Sequence, residues 1–257
     1  MFKIFKMKKR WVAAFAILVA AFLFLKSQYA LPILMYHHVG EPRDLSGLNV
    51  SAETFERQME FLKIHHIHVL SLEEVARRVR MHEALPMNAV VITFDDGYLD
   101  NIENAFPILK KMGFPATIFM ITENIGRPGW LSDEDLRILD ESGISIGSHT
   151  VHHAYLPDLI GDQISKELRD SKQTLEAILG RPVTLLSYPA GGWNPAARQA
   201  ADDAGYLGAV TTNHGKGPAD FLALWRVKIS EGRGSLFNFW IKTSGFYHLG
   251  KKHVSAE

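Results

Sequence analysis

Apolar positions along this chain follow two alternating rhythms. Compact, mostly apolar runs, rich in β-branched residues, recur at 33–38, 68–72, 90–95, 116–120, 144–148, 185–188, 208–212 and 224–229. An unbroken apolar run bounded by turn residues is how a strand reads when both its faces are buried, as in a parallel sheet. Between these runs the apolar residues repeat every three or four positions, which predicts helices over 53–65, 72–81, 101–112, 132–142, 162–179 and 194–204. In the first of these Phe55, Met59, Leu62 and Ile64 fall near one face. The ends are punctuated as helix ends should be. Ser71 precedes Glu73 and Glu74, Ser132 opens an acidic first turn, Asn194 precedes Pro195, and Gly113, Gly143 and Gly180 close helices. Strands alternating with helices imply a mostly parallel sheet. Seven or eight such units within about 200 residues point to a small or irregular (β/α) barrel of the α/β class more than to an open doubly wound sheet.

The N-terminus departs from this rhythm. Lys3, Lys6, Lys8, Lys9 and Arg10 precede any acidic residue, and 11–25 is unbroken apolar sequence. Fifteen helical residues span ~22 Å, less than the ~30 Å hydrocarbon core, unless Lys26 snorkels and the helix runs on toward Ala30. A cleaved secretory signal is the alternative to an uncleaved anchor. Residues 26–30 offer no small-x-small cleavage site, which favours an anchor with its basic end in the cytoplasm and the domain outside. The expected division is a basic tail at 1–10, an anchor or signal segment at 11–30 and the barrel at 31–257. Apolar residues make up 47% of the chain, enough for a large core, while 28 basic against 28 acidic side chains argue against a nucleic-acid partner. There are no cysteines, which excludes disulfides and thiolate metal sites.

Candidate chemistry gathers where strands give out. Thr93-Phe94-Asp95-Asp96-Gly97-Tyr98 follows the apolar run 89–92 and sets two carboxylates side by side. Carboxylates at the end of a buried strand need a metal, a proton or an arginine to neutralise them. Some fifty residues on, Gly147-Ser148-His149-Thr150-Val151-His152-His153 opens a histidine cluster at another strand end. On a helical turn His149 and His153 would come within ~6 Å and share an ion, and His149 with His152 is a second register. Two imidazoles and one carboxylate make a metal-binding set. Asp95, Asp96, His149, Pro189 and Thr212 all fall at or just past strand C-termini, the face on which barrels build active sites. His37 and His38 end the first strand and reach the same rim.

These residues resemble the polysaccharide deacetylase, or NodB-homology, family (carbohydrate esterase family 4). Thr93-Phe94-Asp95-Asp96-Gly97 is similar to its first motif and His149-Thr150-Val151-His152-His153 to its second, and Met35-Tyr36-His37-His38-Val39 is typical of one branch. The resemblance runs from about residue 33 to about residue 230, and the domain core it implies is about 88–257. It implies Asp95 as catalytic base and Asp96, His149 and His153 as ligands of one divalent metal, zinc first, with cobalt, nickel or manganese also suited. It implies Arg226 as the partner that holds Asp95, and a backbone N–H at Ala190 as oxyanion donor. Tyr188, Pro189, Trp225 and His37 are the expected substrate contacts, with Tyr188 or Trp225 offering an apolar face to a sugar ring.

Two departures stand out. In Ser187-Tyr188-Pro189-Ala190 a serine replaces the arginine of the family's third motif and an alanine its aromatic. The general acid of the last motif has no clear counterpart, and His214 and His248 are the candidates. The implied activity is metal-assisted removal of N-acetyl groups from an amino-sugar polysaccharide by a membrane-tethered monomer. An O-acetyl esterase, a phosphoesterase or a weakly active carbohydrate-binding protein are the alternatives. Asp100, His65, His66 and His68 are assigned no role, and Glu103, Asp133 and Asp135 read as acids at helix starts.

Overall fold

The computed structural model describes residues 2–41, 47–212, 220–231 and 236–250. The chain forms two compact units, Met1–Ala30 and Leu31–Glu257. The first is helix α1 (Phe2–Gln28), whose Trp11, Phe15, Phe22 and Phe24 side chains are exposed. Among the described residues no helix is long and apolar enough to cross a membrane. The uninterrupted apolar stretch of α1 covers 11–25, and the helix is basic at both of its ends.

The second unit is a parallel sheet wound almost into a barrel. Its strands are β1 (Ile33–Tyr36), β4 (His68–Val69), β5 (Ala89–Phe94), β6 (Thr117–Met120), β7 (Ser145–Ser148), β8 (Leu185–Ser187), β9 (Gly208–Thr211), β10 (Leu224–Trp225) and β11 (Val227–Lys228). The order is β10-β9-β8-β7-β6-β5-β1-β11, with β4 beside the start of β5. β10 and β11 are one stretch of chain interrupted at Arg226. Trp225 pairs with Thr211 of β9 on one side, and Val227 pairs with Leu34 of β1 on the other. A single segment therefore joins the two ends of the sheet. A separate short pair, β2 (His38–Val39) with β3 (Asn49–Val50), lies off the barrel.

Every residue of β1, β5, β6 and β9 is buried, as expected of strands covered on both faces. The covering helices are α2 (Ala52–Ile64), α3 (Leu72–Arg80), α4 (Phe106–Met112), α5 (Asp133–Glu141), α6 (Asp162–Leu179), α7 (Pro195–Asp203) and α8 (Leu236–Thr243). Ser71 and Asn194 cap their helices through Glu74 N and Ala197 N, and Ser132 with Asp135 completes a capping box. Gly113 and Gly180 close helices in the left-handed conformation. The helix predicted over 101–112 is not uniform: it begins as a wider π turn at Asn101–Ala105 and becomes α-helical at Phe106. Helix α8 has no counterpart among the predicted elements. It packs Phe239 inward against Phe61 of α2, their rings 5.8 Å apart.

Candidate active site

The turn after β5 is shaped by two consecutive left-handed residues, Asp96 (φ +74°) and Gly97 (φ +84°). Glycine enters this region freely, and aspartate is among the few other residues that do so. At Gly97 a side chain is also excluded by space, since a Cβ would lie 2.1 Å from Met120 Sδ. The turn leaves Asp95 and Asp96 buried at 3% and 7% exposure in two different environments.

Asp95 faces Arg226, the largest fully buried side chain in the described structure. Arg226 Nη1 donates to Asp95 Oδ1 and Nη2 to Oδ2, both at 2.6 Å. Its other donors reach Thr93 Oγ1 at 3.2 Å, Ser187 Oγ at 2.9 Å and the Thr211 carbonyl at 3.3 Å. All five guanidinium N–H groups are thus used, as burial of a charge demands. Burial alone would raise the Asp95 carboxyl. The Arg226 guanidinium, then His149, outweigh it and hold the group well below the usual carboxylate range. Ser187 also explains the altered third motif, because its small side chain leaves space for a guanidinium delivered from the seam between β10 and β11.

Asp96 faces the histidines instead. His149 Nε2 lies 3.5 Å and His153 Nε2 3.7 Å from Asp96 Oδ1. One ligand atom from each of the three residues falls within 4.8 Å of the others. Ligand bonds of ~2.0–2.1 Å in tetrahedral array imply ligand–ligand edges of roughly 3.4 Å, so the group fits one divalent ion. His149 Nδ1 lies 2.8 Å from the Ser187 carbonyl, a contact that makes Nδ1 the donor and leaves Nε2 with a free lone pair. Burial pushes Asp96 up, opposed by His149 and reinforced by Asp95, and burial pushes both imidazoles down toward their neutral, ligating form. The histidine spacing is not helical, as the predicted helical turn required. The 149–153 segment is an irregular turn with Thr150 at φ +66° and His153 at φ +55°, and it brings the two rings to 4.7 Å.

Both carboxylates and both histidines line one cleft of about 460 Å³, together with His37, Ala190, Thr212 and Lys228. Ala190 is itself left-handed (φ +52°) and exposed, and the turn that carries it is tied to β9. Thr212 Oγ1 donates to the Ala190 carbonyl at 3.0 Å and Thr211 Oγ1 to the Gly191 carbonyl at 2.7 Å. His37 is buried with Nδ1 unpaired, and burial lowers its pKa to about 4 against the pull of Asp95.

Four sequence-predicted residues fall elsewhere. Tyr188 is fully buried in the core packed around α6 and α7, so it offers no face to a sugar; its ring instead lies against Trp193. Pro189 is buried too and does not line the cleft. Trp225 is half-buried beside His248, 5.9 Å between rings, and neither is among the residues that line the cleft. His214 lies outside the described residues. Sequence reasoning missed Asp100, Asn101 and Glu167. Asp100 is 2% exposed and accepts from His38 Nδ1 at 2.7 Å. Glu167 accepts from the backbone N–H groups of Val151 and His152 at 2.9 and 3.1 Å and pairs with the His152 ring at 2.6 Å, so it fastens the histidine turn to α6.

The family model described as polysaccharide deacetylase matches residues 82–209. The Bacillus subtilis protein YxkH is 38% identical over 216 residues, which are 83% of this chain and 76% of YxkH. The Staphylococcus epidermidis poly-β-1,6-N-acetyl-D-glucosamine N-deacetylase is 30% identical over 163 residues, 58% of this chain and 56% of that protein. Among solved structures, the Streptococcus pyogenes deacetylase PplD, in complex with acetate, is 32% identical and superposes with a TM-score of 0.77, covering 83% of this chain and 97% of PplD. By that identity and coverage, the chain belongs to the polysaccharide deacetylase family.

Proposed function

We propose that this protein removes N-acetyl groups from an amino-sugar polysaccharide, using one divalent ion held by Asp96, His149 and His153. The observation that carries the reading is the division of labour between adjacent carboxylates: Asp96 faces two imidazoles, while Asp95 is held ionised by Arg226 in the same cleft. The staphylococcal relative acts on poly-β-1,6-N-acetyl-D-glucosamine, and the streptococcal deacetylase was solved with acetate, the small product of such a reaction. Zinc is the first choice of ion for this donor set, which also suits cobalt, nickel or manganese. When bound, it would polarise the acetyl carbonyl and acidify a water molecule.

The chain's own residues supply the rest. Asp95 takes the proton of the attacking water, and Arg226 keeps it aimed and charged between turnovers. The Ala190 N–H points its dipole at the carbonyl oxygen as negative charge develops there. Among the described residues His37 is the imidazole of the cleft that lies outside the ligand group, and it is the donor for the departing amine. It is neutral in the free protein at pH 7, so the proton it delivers to the leaving nitrogen is the one that Asp95 takes from the attacking water. Polymer binding falls to the cleft rim, where Lys228 is the exposed cation. We further propose that α1, with a basic cluster ahead of its apolar stretch, tethers the catalytic unit to the membrane.

The test is acetate release by metal-replete protein from a panel of acetylated glycans, with an O-acetylated xylan and a phosphate ester alongside. Release from N-acetylglucosamine polymers, abolished in Asp95→Asn, is the expected result. Ester or phosphate hydrolysis without amide hydrolysis would overturn the substrate assignment.

A further inference from the structure

His37 stands between β1 and β2, and its ring Nδ1 has no hydrogen-bond partner among the described residues. The backbone on either side of the ring is what the neighbouring polar side chains hold. That backbone is gripped by one short segment at the start of the π turn. Asn101 Nδ2 donates to the His37 carbonyl at 2.8 Å and to Asp100 Oδ1 at 3.1 Å. Asp100 accepts from the Val39 N–H at 3.3 Å and from His38 Nδ1 at 2.7 Å, and Asn104 Nδ2 donates to the Val39 carbonyl at 2.7 Å. Asp100, Asn101 and His38 are 2%, 1% and 6% exposed.

Such density of polar contacts in a buried place is costly unless its groups are paired; here Asn101 Oδ1 alone of the named contacts lacks a partner among the described residues, and the remaining bonds together fix one geometry. The π turn contributes to it, because wider helical turns are local distortions that concentrate at functional sites. The same segment reaches the opposite side of the cleft. The His38 ring stacks on Tyr98 with centroids 3.5 Å apart, and Tyr98 hydrogen-bonds the Asp96 carboxylate.

We infer that Asp100, Asn101 and His38 form a positioning clamp that aims the His37 imidazole into the cleft. None of the three lines the cleft, so they act through His37. This rests on the reading of His37 as proton donor to the leaving amine. An amide needs that proton to leave, whereas the phenolate of an aryl acetate leaves without it. The clamp should therefore matter for one leaving group and much less for the other, a distinction that a merely structural role would not make.

The experiment compares metal-loaded wild-type protein with Asn101→Ala and Asp100→Asn on an N-acetylglucosamine oligomer and on 4-nitrophenyl acetate, alongside a crystal structure of Asn101→Ala. Expected is a fall in kcat on the oligomer of the order of 10²-fold with KM little changed, a far smaller fall on the aryl acetate, and a His37 ring displaced by roughly 1 Å while Asp95, Asp96 and His149 stay in place. Equal losses on both substrates, an unaltered kcat on the oligomer, or an unmoved His37 ring would each overturn the clamp. Wild-type protein that releases no acetate from any glycan would sink the functional reading instead, and the ring position would still decide the clamp. If Asn101→Ala does not fold, the nearly isosteric Asp100→Asn carries the same measurements.

Discussion

At the scale of single residues the site is governed by what neutralises each buried charge. Arg226 and Asp95 form a doubly bonded, buried pair, and removing one partner strands the other. Arg226→Gln is expected to destabilise the fold by about 3–5 kcal/mol, read by chemical denaturation, and to lower kcat with it. Arg226→Lys should recover little of either, since an ammonium cannot make the paired contact. His37 makes a pH prediction whose sign follows from burial. Its folded pKa is about 4 against an ordinary 6.5, so between those values the unfolded chain binds a proton that the folded chain refuses. Its contribution is complete above pH 6.5 and is lost as pH falls toward 4, a change of about 3 kcal/mol that denaturation midpoints across this window would detect. Asp95 adds a second loss below pH 3.8, because its native carboxyl is held low. The aspartate pair and His149 with His153 were legible from the sequence, since strand ends and spacing mark them. Tyr188 was not: an aromatic at a strand end carries no sign of which way it points. Asp100 was passed over because its partner, His38, lies 62 positions away and no local pattern links them.

At the scale of elements, turns held in unusual conformations do the placing, and their fastenings can be tested. Glu167 on α6 receives two backbone N–H groups and the His152 ring from the ligand turn. Glu167→Gln should weaken zinc binding by roughly 10–100-fold in competition with a chromogenic chelator, with the ligands themselves untouched. Gly191, at φ +72°, is pressed against β9 so closely that a Cβ would sit 2.0 Å from Thr212 Oγ1. Gly191→Ala should displace the Ala190 N–H and cost about 10²-fold in kcat, the scale of losing one oxyanion donor. The strands and most helices were readable because burial on both faces writes a continuous apolar run and a single buried face writes a stripe. The histidine turn was read in the right place with the wrong conformation. Spacing alone cannot tell a helical turn from a left-handed one, and the β-branched Thr150 is not a residue that advertises positive φ.

At the scale of the whole molecule, the catalytic unit is compact from Leu31 onward and α1 is a unit of its own. A chain beginning at Leu31 is therefore expected to keep its acetate-releasing activity while moving from the membrane pellet to the supernatant on fractionation. Pelleting unchanged without α1 would contradict the tether. The parallel (β/α) character was legible from the alternation of elements, but the way the sheet ends meet was not. Two dipeptide strands flanking a buried arginine give too short a signal to show that each side pairs with a different neighbour. That seam couples catalysis to the completeness of the chain. The guanidinium that keeps Asp95 charged arrives with Arg226, later in the chain than Asp96, His149 and His153, so a ribosome-bound chain still lacking it carries the proposed metal ligands and is expected to be idle. Gentle heating that parts the seam should likewise silence the enzyme before its helices melt.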